Sequence, residues 1–354
     1  MVPYQRGPVS LRTYFRLFTH TQLLPILESG EETLVGGQAV MEGVMMRAPH
    51  SYCVAVRKKN GEILTEQMPM PRISERHKIF KYPVFRGVGT LYQAMSLGMK
   101  ALKFSADVAI EDEAQAQAAK AAAAGGSVTQ AAPAEPRKAK EVPSWAMAVN
   151  VIISLGMFIV LNKLVPLSVA TWLKSLYPNI FSSNALFNLA DGVVRMLIFL
   201  ILMFALSLTK EFHRIFEYHG AEHKVVFNYE SGKPVTIENA QKFVTFHPRC
   251  GTSFLFVVIF VSVIFYMFIP FQAFLPKLLA RIALLLPIAG VSYELIRFAA
   301  KHQGSMLSVL TAPGLWLQRI TTKPPADEQA AVAIHALQGA MALEEKQGGE
   351  LVIA

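Results

Sequence analysis

Two long uncharged apolar runs, Met196–Leu208 and Phe254–Phe271, constrain this chain more than any other feature. Core strands of soluble proteins are far shorter, and runs of this length read as lipid-facing helices. The composition agrees. Hydrophobic residues make up 53% of the 354, charged residues only 17%, and the mean hydropathy is +0.36. The expected fold is therefore predominantly α: a polytopic membrane protein of about four transmembrane helices with a small cytoplasmic α+β layer. The spans are expected near 146–167, 190–209, 252–271 and 277–299, each close to the ~20 residues that cross a hydrocarbon core. Pro287 should kink the last. Arg281 and Glu294, near its two ends, are expected to snorkel or pair.

The net charge of +9 does not point to nucleic acid. The basic residues flank apolar runs and are not interleaved with stacking aromatics. They set orientation instead: the segment between the first two spans offers only Lys174, whereas the preceding segment and the loop between spans two and three are rich in Lys and Arg. The chain is thus expected to be multi-pass in the cytoplasmic (inner) membrane, with both termini and the 210–251 loop cytoplasmic. Cys53 and Cys250, the two cysteines, would then stay reduced.

Five regions are expected. Residues 1–33 form a tail or surface helix, basic and moderately amphipathic, without the features of a signal peptide. Residues 34–110 hold a β unit and a helix. Within them Tyr52–Lys58 and Glu62–Met68 read as strands joined across Asn60-Gly61, a favoured two-residue turn. The helix, about 84–108, carries Leu91, Met95, Met99 and Leu102 on one side and is read as interfacial or re-entrant in preference to a fifth span. Residues 111–145, rich in Ala and Pro, read as a flexible linker. Residues 146–299 are the four-helix membrane region with its His-rich loop. Residues 300–354 form a cytoplasmic segment with an amphipathic helix over Asp327–Glu345.

Chemistry concentrates in that loop, which holds four of the nine histidines. His219-Gly220-Ala221-Glu222-His223 places two imidazoles at i and i+4 on one helix face, a spacing that suits a divalent cation. Glu222 is placed to act as general base, as in inverted zincin motifs. Either His247 or Cys250, from the string His247–Thr252, would supply a third ligand, and the thiol favours zinc. The bland alternative makes His219 and His223 interfacial rings, with Glu222 pairing Lys224 or Arg249. A second patch, Gly36–Arg47, embeds Glu42 and Arg47 in an apolar run. Either the two pair with each other, or Glu42 is a second candidate base. The expected cofactor is a divalent metal, zinc first. The expected partners are the lipid bilayer and a membrane or cytoplasmic protein, with no nucleic acid.

Several strings occur together and in order: Gly36–Arg47, Tyr218–Lys224, His247–Thr252, Tyr293-Glu294, and Pro313-Gly314 followed by Gln318, Thr321 and Thr322. From about Leu34 to Leu337 the chain thereby resembles the YqhQ-like bacterial membrane proteins, domain-of-unknown-function family 1385. The resemblance implies a metal-dependent membrane enzyme and carries no substrate with it. Two functions follow as expectations: a metal-dependent hydrolase at the cytoplasmic membrane face, or a non-enzymatic scaffold that binds a protein or a lipid headgroup through the same loop.

Overall fold

The computed structural model describes residues 35–71, 73–123, 144–247, 250–271, 273–301 and 312–346. The tail expected over 1–33 lies outside them. The chain is predominantly helical, with one antiparallel sheet in the order β1-β2-β3-β4. The strands are β1 (Gly36–Val40), β2 (Gly43–Arg47), β3 (Ser51–Arg57) and β4 (Ile63–Pro69).

The β3–β4 hairpin is the expected one, with Arg57 opposite Ile63. Its turn differs. Lys58 N–H donates to the Glu62 carbonyl and Gly61 N–H to that of Lys58, while Gly61 has φ +89° and Asn60 does not have positive φ. A three-residue loop with a left-handed glycine replaces the two-residue turn, which would need positive φ at Asn60 as well. The sheet is also larger than expected, because Gly36–Arg47 forms a hairpin of its own.

Both faces of the sheet are covered, which is why Tyr52–Val56 is buried along its whole length. On one face Val44, Met46, Cys53 and Ala55 meet helices α5 (Lys210–Glu230) and α11 (Asp327–Lys346). On the other, Val40, Met45, Val54 and Val56 meet α1 (Phe85–Ala123) through Leu97, Ala101 and Val108. The β unit, the 210–251 loop and the C-terminal helix therefore assemble into one layer. Helix α1 leaves most of the stripe read from its periodicity exposed, at Met95, Met99 and Leu102, and meets the sheet with another. It also runs on to Ala123, past the start of the expected linker, whose residues 124–143 lie outside the described ones.

Beneath the layer lie the apolar helices. Helix α2 (Ser144–Ile159) passes through a π turn at Val160–Leu164 into α3 (Val165–Leu176), and a short loop leads to α4 (Asn184–Ser207). Ile152–Leu176 and Asn184–Ser207, at 25 and 24 residues, are long and apolar enough to cross a membrane. After the short α6 (Ile237–Gln241), helix α7 (Gly251–Met267) has 17 residues, short of the expected span. Helices α8 (Phe274–Ala283) and α9 (Leu285–Lys301) meet at a bend of 46° and make a third candidate if counted as one span. The bend falls where Pro287 removes the hydrogen bond to the residue four before it.

Of snorkelling and pairing, both charges of the bent pair take the second. Arg281 does not snorkel: it is fully buried and its guanidinium donates to Asp191 at 2.5 Å. Glu294 pairs with Arg86 at the start of α1, which ties the bent pair to the layer above.

Candidate metal centre

Helix α5 begins at Thr209, whose hydroxyl accepts from the Phe212 amide. Its Phe216, Tyr218, Ala221 and Val225 are buried, and Tyr218, Ala221 and Val225 belong to the core under the sheet. The helix is thus clamped on the side next to the His219–His223 pair. Gly220 lets another segment approach: a Cβ there would lie 2.0 Å from the Lys323 carbonyl oxygen. That close passage brings the end of helix α10 (Ala312–Thr321) against α5.

The contact orients the first histidine. His219 Nδ1 lies 2.8 Å from the Thr321 carbonyl, and His223 Nδ1 lies 2.5 Å from the Thr245 carbonyl. A carbonyl only accepts, so each ring donates from Nδ1 and, when neutral, carries its lone pair on Nε2. Burial pushes the His223 ring below its ordinary pKa, opposed by nearby Cys250 and helped by His219 and His247. His223 is therefore neutral at physiological pH.

Cys250 enters from the other side. It precedes α7, and its Sγ lies 3.3 Å from His219 Nε2. The ligand atoms of His219, His223 and Cys250 all lie within 4.8 Å of one another. Ligands about 2 Å from a shared zinc ion stand roughly 3–4 Å apart, so small side-chain movements would close the set. The two rings are 4.5 Å apart and edge-on. Two nitrogens and one sulfur, with both nitrogens backed by carbonyls, fit a borderline-soft divalent ion.

The other expected residues fall in distinct places. His247 is buried 5.5 Å from the His223 ring, outside the three-residue group, with its Nε2 3.5 Å from Glu230. Burial pushes its pKa down to about 4, with Glu222 opposing and His219 adding to the drop. Glu222 is buried, with Oε2 3.5 Å from His223 Nε2, and does not pair with Lys224; Arg249, the other partner the alternative reading named, lies outside the described residues. The Lys224 ammonium donates to the Gln241 carbonyl. Glu42 is engaged elsewhere: Arg214 grips its carboxylate with two nitrogens, and the Tyr218 hydroxyl lies 3.2 Å away. It does not pair with Arg47.

Gln318 is the residue that spacing alone did not assign. Its amide accepts from the His247 N–H at 2.7 Å and donates to the His247 carbonyl at 2.8 Å, so it holds the chain just before Cys250. Its place among the ordered strings was the available signal.

Fold and cluster together define a mostly helical protein whose apolar helices support a sheet layer carrying a His-His-Cys centre. The comparisons name the group. The family model described as "Protein of unknown function (DUF1385)" matches residues 82–343, and the chain belongs to that family. It is 32% identical over 314 residues to the uncharacterized protein YqhQ of Bacillus subtilis (strain 168), covering 87% of this chain and 92% of that one. No solved structure matches.

Proposed function

We propose that the chain is a metal-dependent hydrolase of the cytoplasmic membrane face, with His219, His223 and Cys250 as ligands. The observation that carries this reading is the pair of Nδ1–H donations to backbone carbonyls, which commits both Nε2 lone pairs to the side where the thiol lies. Histidines serving only as interfacial rings need no such tautomer control.

A zinc-like ion bound there supplies Lewis-acid polarisation of a carbonyl or phosphoryl oxygen. The protein's own groups do the rest. Glu222, the acidic side chain beside the cluster, takes a proton from the attacking water. Gln318 holds His247 in place behind it, and that buried ring keeps solvent from the back of the site.

The membrane setting is part of the same proposal. Four passes, with the short α7 and the bent pair completing the two long helices, would put the sheet layer on one side of the membrane, and the Lys and Arg of the 210–251 loop favour the cytoplasmic one. The apolar stripe Tyr92, Met95, Met99 and Leu102 on α1, with Lys100 and Lys103 also exposed, supports an interfacial helix. Substrates would reach the centre from the cytoplasm or the inner leaflet.

Cobalt loading tests the ligand set. The purified protein should show the sulfur-to-cobalt charge-transfer absorption, and Cys250→Ser should abolish it while leaving cobalt bound more weakly. Absence of that band in the unaltered protein removes Cys250 from the set. Impermeant labelling of a cysteine placed at Lys233 tests the side: reaction in intact cells overturns the cytoplasmic assignment.

A further inference from the structure

The apolar helices enclose a second cluster, unrelated to the His-His-Cys centre. Lys163, Arg195 and Arg281 are 4%, 2% and 0% exposed and all approach the Tyr266 ring, at 5.3, 5.1 and 4.6 Å from its centroid. Lys163 sits in the π turn, a local unwinding that often marks functional positions in helices. Its ammonium donates to the Tyr266 hydroxyl at 2.7 Å. Among the described residues the carboxylate that joins them is Asp191, which pairs with both arginines.

Among the described residues three basic side chains face one carboxylate, a surplus of basic groups in the interior. An uncompensated buried ion costs several kcal/mol even after relaxation, and charge within an apolar bundle is a mark of function. The guanidiniums are also incompletely used. Arg195 gives its terminal nitrogens to Ser262 and Asp191, and Arg281 gives its own to Asp191 and Asn188. The Nε–H of each is buried with no partner among the described residues.

Two further lysines stand beside the cluster. Lys174 and Lys277, both half-buried, converge on the Phe187 ring at 5.8 and 4.6 Å. They stand near the loop joining α3 to α4, at the end of the bundle away from the sheet layer. Phe187 is one residue before Asn188, which already touches Arg281. Lysines toward that end and arginines within form a line of cations, a field that draws anions inward.

We propose that this cluster binds a phosphate-class oxyanion, entering from the end of the bundle remote from the sheet. Several acceptor oxygens on one centre match donors that come from three helices, and planar guanidiniums with an open Nε–H suit such oxygens. A free phosphate and the phosphate of an anionic phospholipid share this chemistry.

The test uses the full chain in neutral detergent and in nanodiscs. Inorganic phosphate, titrated at constant ionic strength, should bind and raise the melting temperature. In Lys163→Met affinity should fall at least tenfold, while the phosphate-free protein melts no lower, because a surplus buried charge has gone. Lys163→Arg should keep binding. If inorganic phosphate is inert but phosphatidylglycerol, and not phosphatidylcholine, stays with the protein at one per chain in native mass spectrometry and is lost in Lys163→Met, the source is a lipid. Neither ligand binding, equal binding by Lys163→Met, or collapse of that variant's fold would overturn the proposal in favour of a purely structural ion network.

Discussion

Cys250 Sγ lies 3.3 Å from His219 Nε2, although 31 residues and a turn of the chain separate them. The contact depends on two segments meeting: α5, clamped under the sheet, and the 247–250 string held by Gln318. Changes that move either segment should act on metal affinity before they act on the fold.

Gly220→Ala is the sharpest such change. The added methyl would meet the Lys323 carbonyl at 2.0 Å, a backbone atom that cannot swing aside. Overpacking of this kind costs about 1–3 kcal/mol. The segment from Thr321 to Lys323 would retreat, and the His219 ring would lose the carbonyl that sets its tautomer. Zinc affinity should fall by roughly ten- to a hundredfold, as it does when such outer partners are lost. Competition with a zinc chelator measures it, and unchanged affinity would show that Thr321 does not orient His219.

Glu222 and Glu42 should separate cleanly. Glu222→Gln should retain zinc and lose zinc-dependent hydrolysis of a small activated ester such as p-nitrophenyl acetate, because a base is not a ligand. Glu42→Gln should keep that hydrolysis and affect only the Arg214 and Tyr218 contacts, whose partly exposed ion pair contributes at most about 1 kcal/mol. Loss of hydrolysis in Glu42→Gln alone would exchange the roles.

The same pair shows how far sequence reasoning reached. Spacing put His219 and His223 on one face and brought Cys250 back to them, since both strings adjoin apolar runs whose ends are easy to place. Glu42 and Arg47 share one strand-like string, which suggested a pair. In the hairpin they belong to different places, Glu42 in the β1–β2 turn and Arg47 at the end of β2, and the partner came from α5. Helix α1 shows a second limit: the stripe legible in its periodicity stays largely exposed, and Leu97, Ala101 and Val108, which meet the sheet, were not singled out. The buried ions show a third, because single charges in apolar runs look like helix ends until three helices are brought together.

Acid should act in two phases, the lower of which loosens the C-terminal helix. Burial alone would raise the Glu344 carboxyl, but the His50 amide and ring and the Ser51 hydroxyl hold it below the ordinary value of 4.5. A depressed carboxyl contributes stability above its unfolded pKa, and that contribution is lost as pH falls through the folded value. His247 acts in a higher window. Its buried ring refuses a proton that the unfolded chain accepts, so stability declines from about pH 6.5 toward 4. Glu344→Gln should erase the lower phase of an acid titration followed by hydrogen exchange in 327–346 and leave the upper one. A lower phase that persists unchanged in that variant would remove Glu344 from the account.

Metal content tests the central claim most directly. Protein purified in detergent without chelator should carry one equivalent of a zinc-like divalent ion per chain by elemental mass spectrometry. The His219→Ala, His223→Ala double variant should carry none, and His247→Ala should retain it. Protein that holds no stoichiometric metal, or a double variant that holds as much as the unaltered chain, would contradict the assignment of His219, His223 and Cys250 as a metal centre.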